Sequence, residues 1–310
     1  MQPVALEPTF SVGISFKNPG PAFQLALDSV FAQTFQDWEL ILIDDGSTDE
    51  SSRIASLICD PRVRLVRDGF NRNLNVRLNE MVGLARGRYF VRMDADDIMH
   101  PERLERQLAI LTREGNNTVV GSAAYSIDYR SKVIGIRAAP KGRPLRGFAA
   151  RHSFIHPTVA ASVQWFRENP YSENFLFHRS QDAELWCRTS ARTRFVVMPE
   201  PLLFYREMDK DFSLPNYLGT SLGILYLATV YGGARTRALL LLSAEVTKVW
   251  ITCVAVAFGR VRWMIGRRFT KLDEADRREA ETILALVINK TCQPSIAPVR
   301  HVATDAVAVG

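Results

Sequence analysis

Residues 90–100 read FVRMDADDIMH. The run from Tyr89 to Met93 has the apolar character of a buried strand, yet Asp94, Asp96 and Asp97 follow it at once. Three carboxylates this close repel one another unless water, an arginine or a metal ion offsets their charge. The same arrangement recurs upstream, where the apolar run WELILI at 38–43 ends in Asp44 and Asp45. Two acidic clusters that each follow a strand are harder to read as solvated turns than either alone.

The segments around them alternate. SVGISF at 11–16 reads as a first strand, and Pro21 suits the opening of a helix whose buried stripe is Phe23, Leu27, Val30 and Phe31. After WELILI comes a short helix reaching Ile58, capped by Ser47 or Thr48, and then a third strand over 63–66. Leu74, Leu78, Met81, Val82 and Ala85 mark the next helix, with Gly87 as its C′ residue. A further helix from Pro101 carries Leu104, Leu108 and Leu111 on one face, and Asp97 is read either as local structure only or as a cap for that helix. This rhythm predicts an α/β fold, an open, mostly parallel, Rossmann-like sheet with helices on both faces. Ligands bind such sheets beyond the carboxyl ends of the strands, the edge on which both acidic clusters fall.

At 310 residues and 47% apolar, the chain can bury a sizeable core, and its net charge of +6 suits an anionic partner. Four scattered cysteines without a CxxC pair argue against a zinc ribbon or a disulfide framework and suit a reducing cytosol. The N-terminus lacks the pattern of a secretory signal. KNPGP follows the first strand where a dinucleotide-binding GxGxxG would stand, and GxxxxGK[ST] is absent from the sequence. A hard divalent cation takes oxygen ligands, often one or two carboxylates plus substrate phosphates, and Asp94 and Asp96 can supply them.

From about Ser11 to Tyr205 the chain resembles the inverting family 2 glycosyltransferases of the GT-A fold. The resemblance rests on ISFKN at 14–18, LDSVFAQTFQDWELILIDDGSTD at 27–49 and RLNEMVGLARGRYFVRMDADDIMHPERL at 77–104. HPTV at 156–159, WFRENPY at 165–171 and QDAELW at 181–186 complete it. It implies transfer of a sugar from a nucleotide-diphosphate donor to a glycan or lipid-linked acceptor, in bacterial surface polysaccharide biosynthesis. Asp44 and Asp45 would contact base and ribose. Asp94 and Asp96 would form the DxD pair, with Asp96 the direct ligand of Mg2+ or Mn2+. Asp182 matches the family's general base, with Glu184 read as a fallback or as a surface helix position.

The chain departs from the family where Gln181 replaces a Glu, where Ser15-Phe16-Lys17-Asn18 replaces Pro-Thr-Tyr-Asn, and at Asn73. Phe16 is thus offered as a wall beside the base. Arg77 is placed either toward the diphosphate or on an exposed helix surface. His156 is read as near the acceptor or structural, and Trp165 and Trp186 as sugar platforms or core. Gln181 and the altered first strand support a competing reading, a non-catalytic nucleotide-sugar-binding partner of a polysaccharide assembly complex. A nucleotidyltransferase is a third.

The catalytic domain is expected over 1–215, with a nucleotide-sugar half to about 120 and an acceptor half over 121–215. A helical, basic region follows over 216–310. Between Gly232 and Lys271, eight basic residues are set against the single acid Glu245, alongside Leu239 to Leu242, Trp250 and Phe258. Glu245 and Lys248 interrupt the apolar run, so an interfacial segment on an anionic membrane is expected in preference to a spanning one. The alternative is a subdomain that packs its apolar face on the catalytic part. Nucleic acid is not an expected partner. The expected location is the cytoplasm, peripheral on the inner face of the cell membrane.

Overall fold

Trp38–Asp44 (β2) is buried along its whole length, as an apolar run inside a sheet covered on both faces must be. The computed structural model of the protein describes residues 7–139, 146–207, 213–258 and 269–291. Phe10–Phe16 (β1) lies parallel to β2 on one side and to Tyr89–Arg92 (β4) on the other, and Val63–Arg67 (β3) adds to β2. The chain passes from β1 outward to β2 and β3, then returns across β1 to β4. That reversal opens a crevice at the carboxyl ends of β1 and β4. Phe16 pairs in register with Asp44, so the two strand ends lie side by side.

Helices Ala22–Phe31 (α1), Ser51–Ser56 (α2) and Arg103–Glu114 (α4) cover one face, where Phe23, Leu27, Val30, Leu104 and Leu111 meet Val12 and Ile14. Leu74–Leu84 (α3), Val163–Glu168 (α5) and Gln181–Thr189 (α6) cover the other, packing Leu78, Met81, Trp165 and Trp186 around Ile41, Ile43 and Phe90. The doubly covered, mostly parallel sheet and the helical C-terminal region stand as the sequence predicts.

The second half of the sheet holds Ile98–Met99 (β5), Thr118–Ile127 (β6), Val133–Arg137 (β7), Ala160–Ser162 (β8) and Arg194–Arg206 (β9). Among the described residues the order is β3-β2-β1-β4-β8-β6-β9-β5, with β7 on β6. The two apolar runs at 195–198 and 202–205 form one strand. Ser122 pairs with Met198 and Ala123 with Pro201, so Pro199 and Glu200 bulge out of the ladder.

Two local expectations change. Gly87 is not the C′ residue of α3, which ends at Leu84. Its amide donates to Ser11 Oγ at 2.8 Å, and a Cβ there would stand 2.7 Å from the Phe10 carbonyl carbon, so close approach to β1 requires the glycine. Asp97 does not cap α4, which starts at Arg103 beyond β5. Its Oδ1 accepts the Arg206 amide of β9 at 2.9 Å, tying the acidic turn to the second half of the sheet.

The C-terminal region comprises Leu214–Tyr231 (α7), Arg235–Ala257 (α8) and Glu274–Thr291 (α9). α9 returns to the catalytic core, where Ala280, Leu284 and Val287 pack with Ile98, Tyr125, Ile127 and Phe204. α7 packs Leu227 and Ala228 on Phe148, Phe177 and Ala183. Arg260, Arg262, Trp263, Arg267, Arg268, Cys292 and the tail after Pro294 lie outside the described residues, as do the side chains of Arg235 and Arg237.

Candidate active site

The end of β2 places Asp44 and Asp45 on the crevice, both buried. Asp44 Oδ1 accepts the Ser47 amide at 2.7 Å, and Arg67 Nε stands 3.8 Å from its other oxygen. Asp45 Oδ1 takes the Arg72 amide at 2.7 Å and Arg77 Nε at 2.8 Å. With its side-chain amide turned to swap O and N, Asn71 joins the two sides of the crevice, donating to Asp45 Oδ2 at 2.8 Å and accepting from Lys17 Nζ at 2.5 Å. Asn18, held at φ +51°, accepts the Thr48 amide at 2.7 Å and so fixes the turn after β2 to the end of β1.

Arg77 is not the exposed helical residue of one expectation. It is fully buried, and its guanidinium is taken up by Asp45, Asp68, Glu80 at 2.8 Å and the Phe70 carbonyl at 2.6 Å. The Arg77 hydrogen bond holds the Asp68 carboxyl well below the ordinary range, and those carboxylates in turn raise Arg77. Arg77 therefore clamps the 68–73 loop onto Asp45. Phe16 faces the core, with its ring 4.5 Å from that of Phe23, so it does not wall the crevice; its carbonyl accepts the Asp45 amide.

The acidic turn resolves its own repulsion in two ways. Arg92, a buried arginine in β4, grips Asp94 through both guanidinium nitrogens, Nη1 to Oδ2 at 2.8 Å and Nη2 to Oδ1. Asp97 is buried with Oδ2 unpartnered, and burial with the charges of Asp96 and Asp94 pushes its pKa well above the carboxylate range. Asp96 is half-buried, and its carbonyl accepts from Arg206 Nε at 2.8 Å. Among the described residues no three His, Cys, Asp or Glu side chains form a protein-only metal cage. Asp94 and Asp96 carry the oxygen donors that Mg2+ or Mn2+ takes, and both Asp94 oxygens are held by Arg92 in this structure.

Asp182, half-buried in the first turn of α6, shares an electrostatic neighbourhood with this turn. Burial raises its pKa, opposed by the Ala183 amide and the Arg92 charge and reinforced by Asp94. Tyr171, raised by burial, feels Arg92, Asp182 and Asp94. Its hydroxyl meets His156 Nε2 at 2.9 Å, and burial with Arg92 holds His156 well below its ordinary value, hence neutral. Asp182 and Tyr171 lie within electrostatic range of the Arg92–Asp94 pair, and Tyr171 is hydrogen-bonded to His156. Trp165 and Trp186 are core, stacked at 6.3 Å. Glu184 is buried, not at the surface, and both its oxygens are held by Arg188, at 2.7 and 3.1 Å.

A cavity of about 650 Å3 is lined by Lys17, Asp45, Asn71, Gln181 and, from α7, Gly219 and Leu222; Asp94, Asp96 and Asp182 are not among its lining residues. A second of about 470 Å3 lies under Asp44, Ser47 and Arg67. Gln181 is buried, and its Oε1 lacks a partner. The contribution of α7 to the wall was invisible in the sequence. So was Arg92, although an arginine inside an apolar strand is itself a signal that a buried anion is near.

A model of the family described as Glycosyl transferase family 2 matches residues 11–175, more than half of the chain. EpsE of Bacillus subtilis (strain 168), which bears a glycosyltransferase name, is 32% identical over 186 residues, 58% of this chain and 66% of that one. The succinoglycan biosynthesis protein ExoO of Rhizobium meliloti (strain 1021) is 31% identical over 134 residues, 42% of this chain and 38% of its own. The chain thus spans less than two thirds of either relative's length. Among solved structures, S. aureus TarS 1-349 in complex with UDP shares the fold with a TM-score of 0.54 at 16% identity, covering 77% of this chain and 70% of that one.

Proposed function

The chain belongs to glycosyl transferase family 2, and on that premise we propose that it is a metal-dependent, inverting transferase. It moves a sugar from a nucleoside-diphosphate donor to a glycan or lipid-linked acceptor in polysaccharide biosynthesis. The observation that carries this reading is the pair of acidic strand ends, Asp44 and Asp45 on β2 and Asp94 held by Arg92 of β4, with Asp182 in electrostatic range of the latter. In the reaction the acceptor oxygen attacks the anomeric carbon as its proton passes to the Asp182 carboxylate. The bond from that carbon to the diphosphate oxygen breaks, and its electron pair leaves with the nucleoside diphosphate. Mg2+ or Mn2+ held by Asp96 with Asp94 would supply the charge that stabilises the departing diphosphate.

Asp44 and Asp45 bind the nucleoside, and Arg77 acts through Asp45 as a positioning residue. His156 and Tyr171 border the acceptor side. The enzyme acts in the cytoplasm at the inner face of the cell membrane. The TarS structures with UDP and UDP-GlcNAc make UDP the first nucleotide to try.

Calorimetry of UDP, GDP and dTDP with and without Mn2+, on wild type, Asp96→Asn and Asp182→Asn, tests the assignment. One nucleotide is expected to bind in a metal-dependent way that Asp96→Asn abolishes. Asp182→Asn should bind it normally while transfer falls about a hundred- to ten-thousandfold. Tight binding without any transfer or hydrolysis in the wild type would favour the non-catalytic partner, the reading that the neutral Gln181 supports.

A further inference from the structure

Helix α8 is inside out. A helix on a soluble protein turns its polar face to water, but here Glu245 (8% exposed) and Thr252 (2%) are buried, while Leu240 (70%), Trp250 (67%) and Phe258 (77%) face outward. Glu245 pairs with Lys248 at 3.0 Å and lies in the field of Arg151 and His152, from the turn Gly147–His152 of the catalytic part. The neighbouring helix continues the pattern, because α7 exposes Leu222, Tyr226 and Val230 at intervals of four. A contiguous apolar face of this size marks an interaction surface. Leu241 and Leu242 pack beside Phe148 and Phe177, while many of the apolar side chains of α7 and α8 face outward.

Charge decides the occupant. The surrounding sequence from Gly232 to Lys271 holds eight basic residues and one acid, Glu245. A segment so rich in basic residues complements an anionic lipid surface, and Lys248, on α8 itself, is exposed. Outward Trp250 and Tyr226 suit the headgroup level, where amphipathic rings collect. Ala238–Ala257 is long and apolar enough to cross a membrane, with a mean hydropathy of 1.8 over 20 residues. Yet its Glu245–Thr252 edge is covered by protein, which leaves one side for lipid.

We propose that the outward faces of α7 and α8 lie in the plane of an anionic leaflet and hold the mouth of the Asp45–Gln181 cavity at the lipid surface. Leu222 makes the link, since it belongs both to the cavity wall and to the exposed stripe. The acceptor is then a glycan carried on a membrane lipid, reached without leaving the leaflet. This last step rests on the glycosyltransferase reading; the docking itself does not.

The test uses the full chain without nucleotide, sedimented with vesicles of phosphatidylglycerol and phosphatidylethanolamine or of phosphatidylcholine alone. Wild type should partition onto the anionic vesicles, and the double variant Leu240→Glu/Trp250→Glu should lose about tenfold or more of that partitioning. Alkaline carbonate should release the bound chain, and UDP binding in solution should be the same in both proteins. Failure to bind anionic vesicles, equal binding to neutral ones, or indifference to the double substitution overturns the proposal. So does a concentration-dependent dimer that the substitution breaks, which would make the face a contact between copies. Resistance to carbonate would mean a spanning helix. A wild type that binds vesicles but no nucleotide would sink the active-site reading and leave the docking intact.

Discussion

Arg92 carries the charge balance of the acidic turn. It neutralises Asp94 directly and favours the ionised form of Asp182 from nearby. Arg92→Met should cost about 1–3 kcal/mol in urea unfolding, less than a fully buried pair because Asp94 is 32% exposed. It should also move the acidic limb of the kcat–pH profile upward, since Asp182, already raised by burial, then loses a cation that lowers it. An unmoved limb would separate Arg92 from the base. Asp182→Asn should behave oppositely in stability and activity. A carboxyl whose folded pKa is raised holds its proton longer in the fold, so its contribution to stability is lost as pH rises from the ordinary 3.8 through the folded value. At pH 7 the charge is a burden on the fold. The Asn variant should therefore melt at or above the wild-type temperature while transfer collapses. Of these residues the acids were legible, because they interrupt apolar runs. Tyr171 and Arg206 were not, because their partners lie on other elements of the chain, and Arg92 was not, because an apolar run hides which side of the strand its side chain takes.

The first four strands and α1, α3 and α4 follow from alternation and helical spacing, because each is a long, cleanly bounded run. β6 escaped notice because it mixes Gly, Ser and Ala with its apolar residues, and β9 read as two pieces because Pro199 and Pro201 break it. β5, two residues long, exists only through its pairing with β9. The role of α7 was equally hidden, since its close approach depends on Gly223. A Cβ there would overlap Ser180 Oγ and stand 2.8 Å from the Leu176 carbonyl oxygen. Gly223→Leu should cost about 1–3 kcal/mol in thermal melting. By displacing the turn that leads into α6 and the Gly219–Leu222 wall, it should weaken UDP binding and lower kcat together. Unchanged kcat would show that α7 leaves the base helix undisturbed.

At the scale of the whole molecule, two buried histidines tie stability to pH. Burial lowers His100 to about 4 and His156 well below its ordinary 6.5, so the folded protein resists protons that the unfolded chain accepts. Stability should fall as pH drops below about 6.5, by about 1.4 kcal/mol per unit for each histidine, measured as urea midpoints from pH 7.5 to 5. Replacing both with Gln should flatten that slope. The closing of the core by α9 has another consequence, for biosynthesis. Leu284 packs with residues as distant as Ile98 and Phe204, and synthesis runs from the amino end, so that face of the sheet stays uncovered until α9 has left the ribosome. Helix α8 emerges earlier. On the proposed docking, the nascent chain therefore meets the bilayer with α8 already out and its sheet still open.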